Sequence, residues 1–106
     1  MAERWNADNF KEKINEKDKL VLVDFYSDSC VPCKRMSPVL AELEETYPDN
    51  LSLGKVNIAY EDALVETYEV SSAPTLVFFK DGKEVARLTG VQKKADLINI
   101  IEENKE

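Results

Sequence analysis

Leu20-Val21-Leu22-Val23-Asp24-Phe25-Tyr26, then Ser27-Asp28-Ser29, then Cys30-Val31-Pro32-Cys33: this stretch decides how the 106-residue chain folds. Its first seven residues are apolar or aromatic, with no polar alternation apart from Asp24, which is the pattern of a central strand buried on both faces. Pro32 suits the first turn of a helix, where its missing N–H costs nothing. Beyond it Met36, Val39, Leu40, Leu43 and Tyr47 recur three or four apart, predicting a helix from Pro32 to about Tyr47 that stops before Pro48. Pro38 lies inside that helix and should kink it by deleting one backbone hydrogen bond.

Working outward, Asn6 and Asp8 can accept from unpaired N–H groups at a helix start, and Phe10 and Ile14 sit four apart. A short amphipathic helix is expected from Asp8 to Glu16, closed by Asp18-Lys19, with a short edge strand before it at Ala2 to Trp5. Downstream, Leu51 to Ile58 reads as a second buried strand and Glu61 to Tyr68 as a short helix. Thr75 to Lys80 is a strand of β-formers, Asp81-Gly82 a hairpin turn, and Glu84 to Thr89 the antiparallel return, broken by Gly90. Ala95, Leu97, Ile98 and Ile101 mark a last helix from Lys93 to Asn104. The order (β)αβαβαββα implies a right-handed parallel crossover followed by a hairpin on the same sheet. The fold class is therefore α/β: a three-layer α/β/α sandwich with a central mixed sheet of four to five strands flanked by four helices. Trp5, Phe10, Phe25, Phe78 and Phe79 read as core, and Tyr26 as packing under the loop before the cysteines.

Length, composition and charge exclude several function classes. One domain over residues 1–106 is expected, and a chain of this size should bury roughly two-thirds of its unfolded surface, enough for a core without staples. Net charge is −7, from 14 Lys and Arg against 21 Asp and Glu, which argues against nucleic acid and anionic membranes as partners. No stretch approaches the length of a membrane-spanning helix. There is no His, so Ser-His or Cys-His nucleophile pairs and His-ligated metal are excluded; two Cys alone cannot build a four-Cys site. Met1-Ala2-Glu3-Arg4-Trp5 has no apolar signal core, so a cytoplasmic location is expected, where a Cys pair points to catalysis or metal rather than a structural staple.

Two Cys spaced by three would arise in only about 2% of random placements, so the spacing is informative. A thiolate at a helix start meets unpaired N–H groups and the positive end of the helix dipole. With Lys34 and Arg35 close by in sequence, both effects should lower the Cys30 pKa from about 8.5 towards neutrality. Cys33, one turn deeper, can reach Cys30 and close a disulfide. The competing reading is half of a zinc or iron–sulfur site completed by a second subunit. Asp24 shares a strand face with Leu20, Leu22 and Tyr26, where desolvation raises a carboxyl pKa and suits it to accept a proton from Cys33. Lys55 shares parity with Leu51 and Leu53 and can point inward. Equally, Asp24 could be partly wet and Lys55 could snorkel to solvent. Read alone, the Ala73–Pro74 bond would be trans.

Val23-Asp24-Phe25-Tyr26, Cys30-Val31-Pro32-Cys33-Lys34, Ser37-Pro38, Lys55-Val56-Asn57-Ile58, Ala73-Pro74-Thr75, Phe79-Lys80-Asp81-Gly82 and Gly90 together resemble the thioredoxin family, in order and at its spacing, over nearly the whole chain. The resemblance implies the thioredoxin fold and a monomeric protein disulfide reductase. Cys30 would be the nucleophile, Cys33 the resolving thiol, Asp24 the proton acceptor beneath the pair and Lys55 its modulator. It implies a cis Pro74 packed against the cysteines, turning the backbone of Ala73 towards an extended substrate segment. Ser29, Val31, Pro32, Gly90 and Val91 would complete the substrate groove. No cofactor beyond the Cys30–Cys33 disulfide, no metal, and a flavin-containing thioredoxin reductase as electron donor are implied. Two departures stand out: Ser29 where the family usually has Trp, and Val31 where it has Gly. They leave open a more oxidising, isomerase-like member or a dedicated electron donor; a metal-bridged or non-catalytic binding module is the alternative from another class.

Overall fold

The computed structural model describes residues 3–16 and 18–104. Its elements are β1 (Glu3–Arg4), α1 (Phe10–Ile14), β2 (Leu20–Tyr26), α2 (Val31–Thr46), β3 (Leu51–Asn57), α3 (Asp62–Thr67), β4 (Thr75–Lys80), β5 (Lys83–Thr89) and α4 (Lys94–Asn104). The strands form one mixed sheet in the order β1-β3-β2-β4-β5. β1 and β2 run parallel to β3, while β4 is antiparallel to β2 and β5 to β4. The three-layer sandwich expected from the sequence is what forms, with five strands.

Strand alternation divides the core in two. Leu20 and Leu22 of β2, Leu51 and Leu53 of β3, and Leu76 and Phe78 of β4 pack under Met36, Leu40 and Leu43 of α2 and Leu97 and Ile101 of α4. On the other face Val21, Val23, Phe25, Val56, Val77 and Phe79 pack against Phe10 and Ile14 of α1 and Leu64 of α3. All seven residues of β2 are buried, because helices cover both of its faces. Phe10 is the hub of the second layer, with ring centroids 6.4 Å from Trp5, 6.0 Å from Phe79 and 5.0 Å from Tyr68.

Several boundaries differ from expectation, for local reasons. α1 is a single turn rather than Asp8 to Glu16. The Asn6 side-chain oxygen accepts from the N–H groups of Asp8 (2.9 Å) and Asn9 (3.1 Å), and that of Asn9 accepts from Asn6 (2.9 Å), so turns occupy the residues that would have begun the helix. At its other end Asn15 donates to the Lys11 carbonyl at 2.7 Å. α2 and α4 are displaced by one residue or less at their starts, and β3 ends at Asn57. The edge strand is real at Glu3–Arg4; Ala2 lies outside the described residues. Asp81 (φ 53°) and Gly82 (φ 80°) both adopt positive φ, the signature of the type I′ hairpin that Asp-Gly predicts.

The edge strand is held by a close approach. Trp5 donates its backbone N–H to the Lys55 carbonyl at 2.7 Å, and its indole lies flat over Gly54, where a Cβ would overlap the ring. Gly54→Ala must therefore push the indole away, with an expected loss of about 1–3 kcal/mol in urea unfolding. Trp5 is the only tryptophan, so its fluorescence should shift to the red in the same variant. Unchanged stability and emission would show that the ring moves aside without cost.

Candidate active site

β2 delivers the chain to the site and α2 carries it away. After Tyr26 the Ser27-Asp28-Ser29 loop turns, with the Cys30 N–H donating to the Ser27 carbonyl at 3.3 Å. Cys30 is the N-cap of α2, in an extended conformation (φ −88°, ψ 109°), and its Sγ accepts the Cys33 N–H at 3.0 Å. An N-cap sulfur thus takes the place usually held by a Ser or Asp oxygen. Cys30 and Cys33 form a disulfide across Cα atoms 5.2 Å apart. The two sulfurs are not equivalent: Cys33 is 5% exposed and faces the core with Met36, whereas Cys30 is half-buried at the surface. Ser29 and Pro32 beside them are exposed, and Val31 is 61% exposed, so the residue in the family's usual Gly position presents an apolar side chain to the outside.

Beneath the pair, Asp24 is 1% exposed and its Oδ1 has no hydrogen-bond partner. Burial pushes its pKa from the ordinary 3.8 up to about 6, while the charge of Lys55 pulls it partly back. Lys55 is its direct neighbour across the β2–β3 register. A cleft of about 200 Å³ joins Asp24, Lys55 and Cys33, with Tyr26, Asp28 and Lys34 also on its wall. It is continuous in lining with a larger cleft of about 520 Å³ along α2, to which Pro38, Leu53 and Glu44 contribute. Lys55 is half-buried, and its Nζ lies 4.5 Å from the centroid of the Tyr26 ring.

Of the remaining sequence-predicted residues, Pro74 and Gly90 are joined to each other. The Ala73–Pro74 peptide is cis, as the resemblance implied and as the chain alone did not. Thr75 pairs with Phe25, so Pro74 sits at the same end of the sheet as the end of β2. Gly90 donates its N–H to the Pro74 carbonyl at 2.9 Å, and the Gln92 N–H meets the Met36 sulfur at 3.4 Å, which brings the β5–α4 loop against α2. Val91, between them, is 51% exposed. Ala73, Pro74, Gly90 and Val91 do not line the Asp24 cleft.

Three contributors were not singled out from the sequence as site residues. Asn57 is 8% exposed and donates to Asp28 at 3.2 Å, tying the loop before Cys30 to the end of β3; a buried Asn closing an apolar strand was the available signal. Arg4 reaches the cleft wall from β1, which nothing in the local pattern announces. Tyr26, which the sequence suggests only as a packing residue, turns its ring face to the Lys55 ammonium. Among the described residues no group of three or more acidic, Cys or His side chains gathers where a metal could be held, and no helix is long and apolar enough to cross a membrane.

The thioredoxin family model matches residues 2–103. The chain belongs to the thioredoxin family. It is 47% identical over 101 residues to a thioredoxin of Chlamydia pneumoniae, covering 95% of this chain and 96% of that one. A Chlamydia caviae thioredoxin is 46% identical over 104 residues, covering 98% and 99%. Among solved structures, a mutant thioredoxin from Halobacterium salinarum NRC-1 superposes with a TM-score of 0.90 at 31% identity, covering 99% of this chain and 91% of that one. The architecture is the thioredoxin fold, and with its Cys30–Cys33 pair at disulfide distance the protein is a thiol–disulfide oxidoreductase.

Family membership makes the cost of Asp24 a measurable quantity. Its folded pKa of about 6 lies above the ordinary 3.8, so the folded state holds the proton more tightly. Stability from this group is full below about pH 4 and is lost as pH rises through about 6. The loss at pH 7 is of order 3 kcal/mol. Asp24→Asn should therefore stabilise the protein at pH 7 and much less at pH 4, measured by chemical denaturation at both values. An equal gain at both would show that ionisation is not the cause.

Proposed function

We propose that this protein reduces disulfides in protein substrates, with Cys30 as nucleophile, Cys33 as resolving thiol, Asp24 as proton acceptor and Lys55 as the group that modulates Asp24. The observation that carries this reading is the asymmetry of the pair: a half-buried sulfur on a helix cap, bonded to a buried one. In the dithiol state Cys30, favoured as thiolate by the α2 N-terminus, attacks one sulfur of the substrate disulfide. The substrate S–S bond breaks, its second sulfur leaves as a thiolate and picks up a proton from water, and a mixed disulfide joins Cys30 to substrate. Asp24 takes the Cys33 proton through water in the cleft. The Cys33 thiolate then attacks Cys30, expelling the reduced substrate and closing the Cys30–Cys33 disulfide. Two electrons pass from the dithiol to the substrate.

The backbone of Ala73, beside Pro74, offers an N–H and C=O to an extended substrate segment, with Ser29, Val31, Pro32, Gly90 and Val91 around it. A flavin-containing thioredoxin reductase returns the disulfide to the dithiol, as family membership supports. A chemistry that depends on free thiols fits the reducing cytoplasm, and no step calls for a second subunit.

Catalytic amounts of the protein should accelerate insulin reduction by dithiothreitol, and Cys30→Ser should abolish the acceleration; activity surviving in that variant would reject the nucleophile. Cys33→Ser should strand the mixed disulfide, recoverable by mass spectrometry. With the acceptor titrating at about 6, resolution in the wild type should slow as pH falls through that value. Asp24→Asn should slow resolution at pH 7 by roughly one to two orders of magnitude and leave formation of the mixed disulfide nearly unchanged. Equal slowing of both steps would remove Asp24 from the proton-transfer role.

A further inference from the structure

Tyr26 is 7% exposed, yet its hydroxyl is buried with no hydrogen-bond partner. A buried phenol normally finds one, and leaving it unpaired carries a cost. What the side chain does contribute is the face of its ring, over which the Lys55 ammonium lies at 4.5 Å from the centroid. The same lysine is the register partner of Asp24, and all three residues line the cleft that contains Cys33. A half-buried lysine on a strand ordinarily extends its charge into water. Here an aromatic face competes with water for it.

We propose that Tyr26 is a positioning residue: its ring clamps the Lys55 ammonium inside the cleft beside Asp24, and so fixes how strongly that positive charge acts on the carboxylate. The other charged or titratable groups on the walls around Asp24 are Arg4 from β1, Asp28 from the loop, and Cys33, Lys34 and Glu44 from α2; β4 presents the uncharged Leu76. Lys55 is the one whose charge acts on Asp24 appreciably. Without the aromatic face Lys55 swings towards solvent, its field at Asp24 weakens, and the carboxyl holds its proton to higher pH. Opening the cleft to water would have the opposite sign, since better solvation favours the carboxylate. Direction therefore separates a clamp from a mere packing role. The kinetic consequence, an altered pH profile for resolution, rests on the reading of Asp24 as proton acceptor; the clamp itself does not.

The test titrates the Asp24 carboxyl carbon by NMR in the reduced, full-length protein. Tyr26→Phe keeps the ring face and should leave the midpoint within about 0.2 unit of wild type. Pentafluorophenylalanine at position 26 keeps the shape but reverses the charge distribution of the ring, and should raise the midpoint by about half a unit. Tyr26→Leu should move it in the same direction, and because the fluorinated ring preserves packing, the question stays answerable if the Leu variant does not fold. In a Lys55→Met background, which raises the midpoint by itself, the fluorinated ring should add nothing. A fluorinated ring that leaves the midpoint unchanged or lowers it, or one that shifts it equally with and without Lys55, would overturn the clamp. Failure of Asp24→Asn to slow resolution would instead overturn the proton-acceptor role and leave the NMR result standing.

Discussion

The N–H of Cys33 pointing at the sulfur of Cys30, 3.0 Å away, is the contact on which the chemistry depends. It exists because Cys30 caps α2 instead of lying within it, so that the first turn of the helix offers its unpaired N–H groups to a sulfur. Holding that turn in place requires β2 to arrive buried on both faces and α2 to be pinned to the sheet through Met36, Leu40 and Leu43. The two core layers and the loop bonded to Asn57 are, in that sense, the mount for one hydrogen bond. In the proposed mechanism a sulfur so placed is favoured as an anion by the N-terminus of α2.

Asp24 shows the opposite economy. A carboxyl 1% exposed, with an oxygen lacking a partner, works against folding at neutral pH. In the proposed mechanism the cleft that joins it to Cys33 gives that cost a purpose, since a carboxylate whose affinity for a proton is raised by burial is a better acceptor from a thiol than an exposed one. Lys55 limits how far the shift goes, and Tyr26 holds Lys55.

Much of this was legible in the chain. The apolar run from Leu20 to Tyr26 and the helical spacing after Pro32 fix the sheet centre and α2, because burial on two faces and a 3.6-residue period leave little choice. Asp81-Gly82 specifies its turn through backbone sterics alone. The α1 boundary was missed because Asn6 and Asn9 bond to local N–H groups, an option that apolar periodicity does not reveal. The cis Ala73–Pro74 peptide came only from family resemblance, since the local sequence favours trans. Asn57 left a signal as an Asn closing an apolar strand, but Arg4 and the cation over Tyr26 were out of reach because each depends on which strand lies beside which, and the register of β1 and β2 on β3 is a tertiary fact. Cys30 and Cys33 could be proposed beforehand because their spacing puts both at one helix end. For Asp24 and Lys55, strand alternation allowed an inward position without requiring it, and only the family resemblance gave them roles.

The most direct measurement is the pH dependence of alkylation of reduced Cys30 by iodoacetamide in a Cys33→Ala variant, where a single sulfur reports. A helix-capped thiolate predicts a reaction rate that reaches half its maximum clearly below about pH 8. A rate still climbing through about pH 8.5, as for a thiol in an unstructured peptide, would contradict the account.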